Sequence, residues 1–262
     1  MTEDREKLNS RGTPPRSERG LLGLLGGLSI FALSKLKALL LLLKALPAGK
    51  VLLTSGSMLL MVLVEARRSG LLFGIGFVAL ILVHELGHGY AMKKHGVAAG
   101  WPIFIPFFGA MIAMKGAPRD RDIEAEIAFG GPYAGTMASL LVAAIGLYAE
   151  SRLLLSLAYF GFFLNLFNLT PISPLDGGRI VQAFSKRAWV VGLIAIVGLL
   201  VFTGTPQLVL ILVMALPQLF RKEERQRIDL DSRTRQSWAV RYFGLCAFAA
   251  LAIFFTGKLL HH

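Results

Sequence analysis

Residues 71–92 read LLFGIGFVALILVHELGHGYAM. As an α-helix this stretch is roughly 33 Å long, enough to cross the hydrocarbon core of a bilayer. It nevertheless holds His84, Glu85 and His88. An ionisable group costs roughly 2.5–3.5 kcal/mol near mid-membrane on insertion scales, so three within one turn require a reason. Positions i and i+4 share a helix face, so His84 and His88 can present imidazole nitrogens to one metal ion. Glu85 is rotated about 100° from His84 and can reach a water bound to that ion. This is the HExxH pattern of zinc hydrolases.

The rest of the chain agrees with a membrane setting. Of its 262 residues 55% are hydrophobic and only 17% charged, with a mean hydropathy of +0.62; a soluble domain carries about 25% charged residues. This excludes a disordered or collagen-like chain. Further apolar stretches run over 51–65, 127–149, 153–175 and 238–260, with a pair between Ala188 and Phe220 broken at Thr203-Gly204-Thr205-Pro206. The expected fold is an all-α polytopic membrane protein of six or seven transmembrane helices, the pair after Ala188 being two spans or one re-entrant hairpin. Residues 100–113 contain Pro102, Pro106 and Gly109 among aromatic and β-branched residues. They are too irregular for a spanning helix and are read as a hairpin or short strands near the active site.

The expected organisation is a disordered tail (1–20), an interfacial amphipathic segment (21–50), a transmembrane core (51–220), a basic loop (221–237) and a final transmembrane helix (238–262). The first twenty residues hold five basic and four acidic side chains and two prolines, unlike a cleaved leader. Residues 21–46 are short for a span and are punctuated by Lys35, Lys37 and Lys44, which suits a helix lying on the membrane surface.

The net charge of +12 becomes informative once divided by position. With a cytoplasmic amino terminus and seven alternating spans, 24 of the 28 Lys and Arg residues face the cytoplasm. Only Arg67, Arg68, Arg152 and Lys258 face the other side. The basic excess therefore needs no nucleic acid, and the chain is expected to be a multi-pass protein of the cell (inner) membrane. Trp189 and Trp238 fall where an interfacial aromatic belt would place them. Cys246 is the sole cysteine, so no intrachain disulfide can form, and it reads as a packing residue.

Two histidines and a water leave a tetrahedral zinc site one ligand short. The position where a metzincin carries its third histidine is Lys94, which excludes that subclass. Glu124 and Glu126 are the nearby glutamates, in a charged stretch with Arg119, Asp120, Arg121 and Asp122. Asp176 closes a long apolar run in Leu175-Asp176-Gly177-Gly178-Arg179, where a carboxylate without a partner is expensive and a cation would offset its charge. His95, His261 and His262 are weaker candidates. Asn165 and Asn168 share one helix face. Asn165 reads as an interhelical hydrogen-bonding residue, whereas Asn168 can donate to an oxyanion or orient a substrate carbonyl. Pro171 and Pro174 break the helix just before Asp176, and irregular backbone at membrane depth is tolerated where it lines a cavity.

Taken together, His84-Glu85-Leu86-Gly87-His88, Asn168-Leu169-Thr170-Pro171, Leu175-Asp176-Gly177-Gly178 and the intervening Gly131-Pro132-Tyr133-Ala134-Gly135 resemble the site-2 protease family of intramembrane zinc metalloproteases. The resemblance covers residues 71–179. It implies one Zn2+ per chain held by His84, His88 and Asp176, Glu85 as acid/base catalyst, and Asn168 on the substrate or oxyanion. It further implies membrane-protein substrates and a site opening toward the cytoplasm. Gly135 stands where many relatives have asparagine, so no polar role is carried to it; Gly131 and Gly135 read as close-packing positions. No PDZ or nucleotide-sensing domain of the kind many relatives carry fits in the sequence. Two other readings stand beside this one: a membrane zinc protease with Glu124 or Glu126 as third ligand, acting on cytoplasm-exposed chains, and a catalytically inactive membrane scaffold.

Overall fold

Helix α1 (Gly49–Ser69) is followed, after Gly70, by α2 (Leu71–Lys94), the helix that carries the HExxH residues. A computed structural model describes Lys35 and residues 49–105, 109–116, 118, 120–185, 187–220 and 230–261. The expected tail, nearly all of the interfacial segment, residues 221–229 of the basic loop and His262 lie outside the described residues. The chain divides into two units, 1–53 and 54–262, and the elements below belong to the second apart from the first turn of α1.

Strands β1 (Ala98–Ile105) and β2 (Gly109–Lys115) form an antiparallel hairpin, with Phe104 opposite Ala110 and Pro102 opposite Ile112. An irregularity between Ala99 and Pro102 accommodates the proline, which has no N–H for the ladder. The hairpin is tied down on both sides. Thr54 donates to the Pro102 carbonyl at 2.7 Å, the Phe104 N–H donates to Ser57 Oγ at 3.1 Å, and the Phe104 ring is buried with Met61, Val78 and Ile81. Ile112 and Met114 pack against Ala91 and Met92 of α2 and Ile127 of the next helix.

That helix, α3 (Arg121–Tyr148), starts at Asp120, whose carboxylate accepts the Ile123 N–H at 2.8 Å. Helix α4 (Arg152–Asn168) is capped by Ser151. The apolar run expected to continue to Leu175 stops as helix at Asn168, because Pro171 and Pro174 cannot propagate it. A loop over 169–175 then leads into α5 (Asp176–Ile180) and a single 3-10 turn (Val181–Ala183). Helices α6 (Ala188–Thr203) and α7 (Pro206–Phe220) are separated at Gly204, which is left-handed, and Thr205. Helix α8 (Ser232–His261) packs along α4 and α3.

Three of these helices, α2, α3 and α8, are long and apolar enough to cross a membrane, and α4 and α6 are shorter apolar helices. Close helix approach is set by glycine. A Cβ on Gly87 of α2 would stand 2.3 Å from the Gly130 carbonyl oxygen of α3, and one on Gly130 would stand 2.6 Å from the Gly87 oxygen. Only hydrogen at both positions allows the two backbones to touch.

Candidate metal centre

On α2 the residues Phe73, Gly74, Val78, Leu80, Ile81, His84, Glu85, His88, Ala91 and Met92 are buried, so the histidines and the glutamate lie on the inward stripe of the helix. Their fractional exposures are 3% for His84, 4% for Glu85 and 7% for His88. Asp176, first residue of α5, is 8% exposed and meets them from across the core. Its Oδ2 lies 3.2 Å from His84 Nε2 and 3.2 Å from His88 Nε2, and the two Nε2 atoms are 3.1 Å apart. The ligand atoms of His84, Glu85 and His88 lie within 4.8 Å of one another, which sets Glu85 at the rim of this triangle. Ile112 of β2 packs on the same helix one turn further on, against Ala91 and Met92.

The hydrogen bonds behind the histidines determine what faces the centre of the triangle. His88 Nδ1 lies 2.7 Å from the Ile127 carbonyl oxygen, an acceptor only, so Nδ1 carries the proton. His84 Nδ1 lies 2.8 Å from Asn165 Oδ1, and the orientation of that amide is set because its Nδ2 donates to the Gly161 carbonyl at 2.7 Å. His84 Nδ1 is therefore also the protonated nitrogen. With Nδ1 turned outward in each ring, both Nε2 atoms face the centre, and Asp176 adds a carboxylate oxygen. Two imidazole nitrogens and a carboxylate oxygen within 3.2 Å of one another are held together by a cation among them, a proton or a metal ion. Tetrahedral zinc with bonds of about 2.0–2.1 Å sets ligand atoms roughly 3.3 Å apart, close to the separations observed. The donor set and its spacing fit zinc.

Asn165, read from the sequence as an interhelical hydrogen-bonding residue, does bridge helices, and the partner it bridges to is His84 of the HExxH motif. Asn168 ends α4 and is half-buried, and its side chain makes no hydrogen bond among the described residues. Gly131 and Gly135 are packing positions of a particular kind. A Cβ on Gly131 would stand 2.2 Å from His88 Nε2, and one on Gly135 would stand 2.3 Å from Asn165 Oδ1. The glutamates are occupied elsewhere: Glu126 pairs with Lys94 and with His95 Nε2 at 2.8 Å, and Glu124 lies 3.7 Å from Arg179 Nε. Arg179 also reaches Met114 of β2 and stands 4.0 Å from Asp176 Oδ1. Trp238 packs against protein: it is 2% exposed, and its indole N–H donates to Asp122 Oδ1 at 2.6 Å.

A family model described as peptidase family M50 matches residues 72–156 and 149–202, together half of the chain. The chain belongs to peptidase family M50. The matched residues contain every side chain of the centre and stop before α8. The M50 chain is 31% identical over 123 residues to the zinc metalloprotease MJ0392 of Methanocaldococcus jannaschii, an alignment covering 45% of this chain and 35% of that protein. It is 29% identical over 163 residues to the Arabidopsis thaliana protein named "Probable zinc metalloprotease EGY1, chloroplastic", covering 44% of this chain and 30% of the relative. The chain thus spans about a third of the length of these curated relatives. Among solved structures it is similar to a site-2 protease from Methanocaldococcus jannaschii, with 23% identity, a TM-score of 0.42, and coverage of 67% of this chain and 88% of that one.

Proposed function

We propose that this M50 chain is a zinc-dependent intramembrane endopeptidase that hydrolyses peptide bonds in or near transmembrane segments of membrane-protein substrates. One observation carries the reading: two imidazole nitrogens and the Asp176 carboxylate converge to 3.1–3.2 Å with Glu85 beside them. A scaffold that only held partners would have no use for a carboxylate at that rim. The third ligand in this reading is Asp176, and the pairing of Glu126 with Lys94 and His95 argues against a glutamate in that place.

Zinc, when bound, supplies Lewis-acid polarisation of water and of the scissile carbonyl. Glu85 takes a proton from the attacking water and delivers it to the leaving amine as the C–N bond breaks. Asn168, whose amide is free of hydrogen bonds among the described residues, donates to the carbonyl oxygen as it gains negative charge. A helical substrate hides its carbonyls and must unwind. The β1–β2 hairpin, packed on the HExxH helix through Ile112, supplies the extended partner for the unwound segment. The reading includes six or seven spans, with the amino terminus and the site opening toward the cytoplasm, because the Lys and Arg distribution favours that side.

Glu85→Gln tests the mechanism. Cleavage of a membrane-protein substrate should fall by about 10²–10⁴-fold while zinc is retained, and cleavage at the wild-type rate would refute the role of Glu85. The same variant should trap uncleaved substrates for identification. Zinc content separates the ligand sets: Asp176→Ala should lose the metal and Glu126→Ala should keep it.

A further inference from the structure

The loop over 169–175 delivers Asp176 to the histidines, and one of the contacts that hold it comes from beyond the residues matched to the family. Leu169 caps the end of α4, and the chain turns away at Pro171, so its carbonyl has no place in a helical ladder. The Tyr242 hydroxyl of α8 donates to that carbonyl at 2.5 Å. Gly177, the residue after Asp176, packs on the same atom: a Cβ there would stand 2.0 Å from the Leu169 oxygen. A single carbonyl thus touches Tyr242 on one side and the neighbour of Asp176 on the other. The Tyr242 ring is 4% exposed and wedged against Phe184, in a cluster that joins Leu169, Ile180 and Val181 to Trp238 and Leu245. From the opposite side α6 presses on the loop through Gly192, where a Cβ would stand 2.5 Å from the Pro171 carbonyl oxygen.

We propose that Tyr242 is a positioning residue for the metal centre, its hydroxyl latching the Leu169 carbonyl so that Gly177 and Asp176 are held at the distance the histidines require. The proposal rests on the reading of Asp176 as a ligand. Partners that orient ligands in this way are typically worth 10–100-fold in metal affinity. Tyr242→Phe removes one oxygen atom and leaves the ring packing in place.

The test uses the full chain purified in detergent, with cobalt(II) as the probe. Chelator competition reads affinity and the visible d–d band reads coordination geometry. Wild type should bind one cobalt per chain. Tyr242→Phe should bind about tenfold more weakly with an altered band. Trp238→Phe, which removes a hydrogen bond from the same helix to Asp122, should match wild type. An unchanged affinity and band in Tyr242→Phe overturns the proposal, as does an equal loss in Trp238→Phe, which would assign the effect to helix docking in general. If wild type binds no cobalt, or Asp176→Ala binds it as wild type does, the ligand assignment itself falls and the latch falls with it. Should Tyr242→Phe not stay folded, 3,5-difluorotyrosine at position 242 keeps the shape and strengthens the donor. Metal loss should then slow, and an unchanged rate overturns the proposal.

Discussion

Replacing Asn165 by alanine isolates the contribution of the shell behind the ligands. The wild-type amide accepts the His84 Nδ1 proton at 2.8 Å and donates to Gly161 at 2.7 Å, and the residue is 2% exposed. The Gly161 carbonyl keeps its helical bond, so the loss falls on His84. A buried N–H without an acceptor costs about 1–3 kcal/mol. The imidazole can avoid that cost only by moving its proton to Nε2, which removes the lone pair facing His88 and Asp176. Both routes are paid in metal affinity, and at 1.4 kcal/mol per decade they correspond to a weakening of about 10–100-fold. Alanine is chosen because Gly135 hems in the amide oxygen, so a larger apolar side chain would add a collision to the lost bond. The assay is competition for zinc between the purified protein and a chelating dye, with circular dichroism and gel filtration as checks on the fold. Asn165→Asp keeps an acceptor for His84 and should recover part of the affinity. Asn168→Ala should bind zinc as wild type does and lose turnover. Zinc binding by Asn165→Ala at wild-type affinity would refute the argument, and so would an equal loss in the alanine and aspartate variants.

Two further predictions concern glycines. Gly131→Ala puts a methyl 2.2 Å from His88 Nε2 and 2.4 Å from Cε1, so it should displace the ring and weaken zinc binding at least about tenfold; the same chelator competition reads it. Gly87→Ala meets backbone rather than side chain, 2.3 Å from the Gly130 oxygen, and should lower stability by about 1–3 kcal/mol. A thermal melt in detergent that matches wild type would show that the two helices separate without cost.

What the sequence made legible was local. The i, i+4 spacing of His84 and His88 places them on one face wherever the helix goes, and Pro171 and Pro174 end α4 whatever surrounds them. From its own surroundings Asp176 was legible as a charge out of place, and the family resemblance implied that it joins the histidines; the meeting itself depends on how α5 crosses the core. The two asparagines show the limit most clearly. They share a helix face, and the sequence reading gave the chemistry to Asn168 and a bridging role to Asn165. Asn165 does bridge, and the residue it meets is His84; which partner it finds is set by the crossing of α2, α3 and α4, which periodicity does not encode. Trp238 is a like case: its place after a basic segment suits an interfacial belt, and the acceptor that Asp122 on α3 offers its indole is not written in that position.

The crossing has a cause that the sequence does display, in residues with no functional groups. Helix α3 contributes no ligand side chain, yet Gly130 admits the backbone of α2, Gly131 leaves room for the His88 ring, and Gly135 leaves room for the Asn165 amide. On the other side, Gly161 of α4 faces Ser139 of α3, where a Cβ would stand 2.3 Å from the hydroxyl oxygen. A helix with ordinary side chains at these positions would hold α2 and α4 several ångströms further apart. His84 could then no longer reach Asn165, and the bond between His88 and Ile127 of α3 would be lost with it. Both imidazoles would be free to change tautomer, and the lone pairs that converge with Asp176 would no longer be fixed. The glycines of α3 therefore belong to the proposed metal site as much as His84, His88 and Asp176 do, because they set the distances at which those side chains meet.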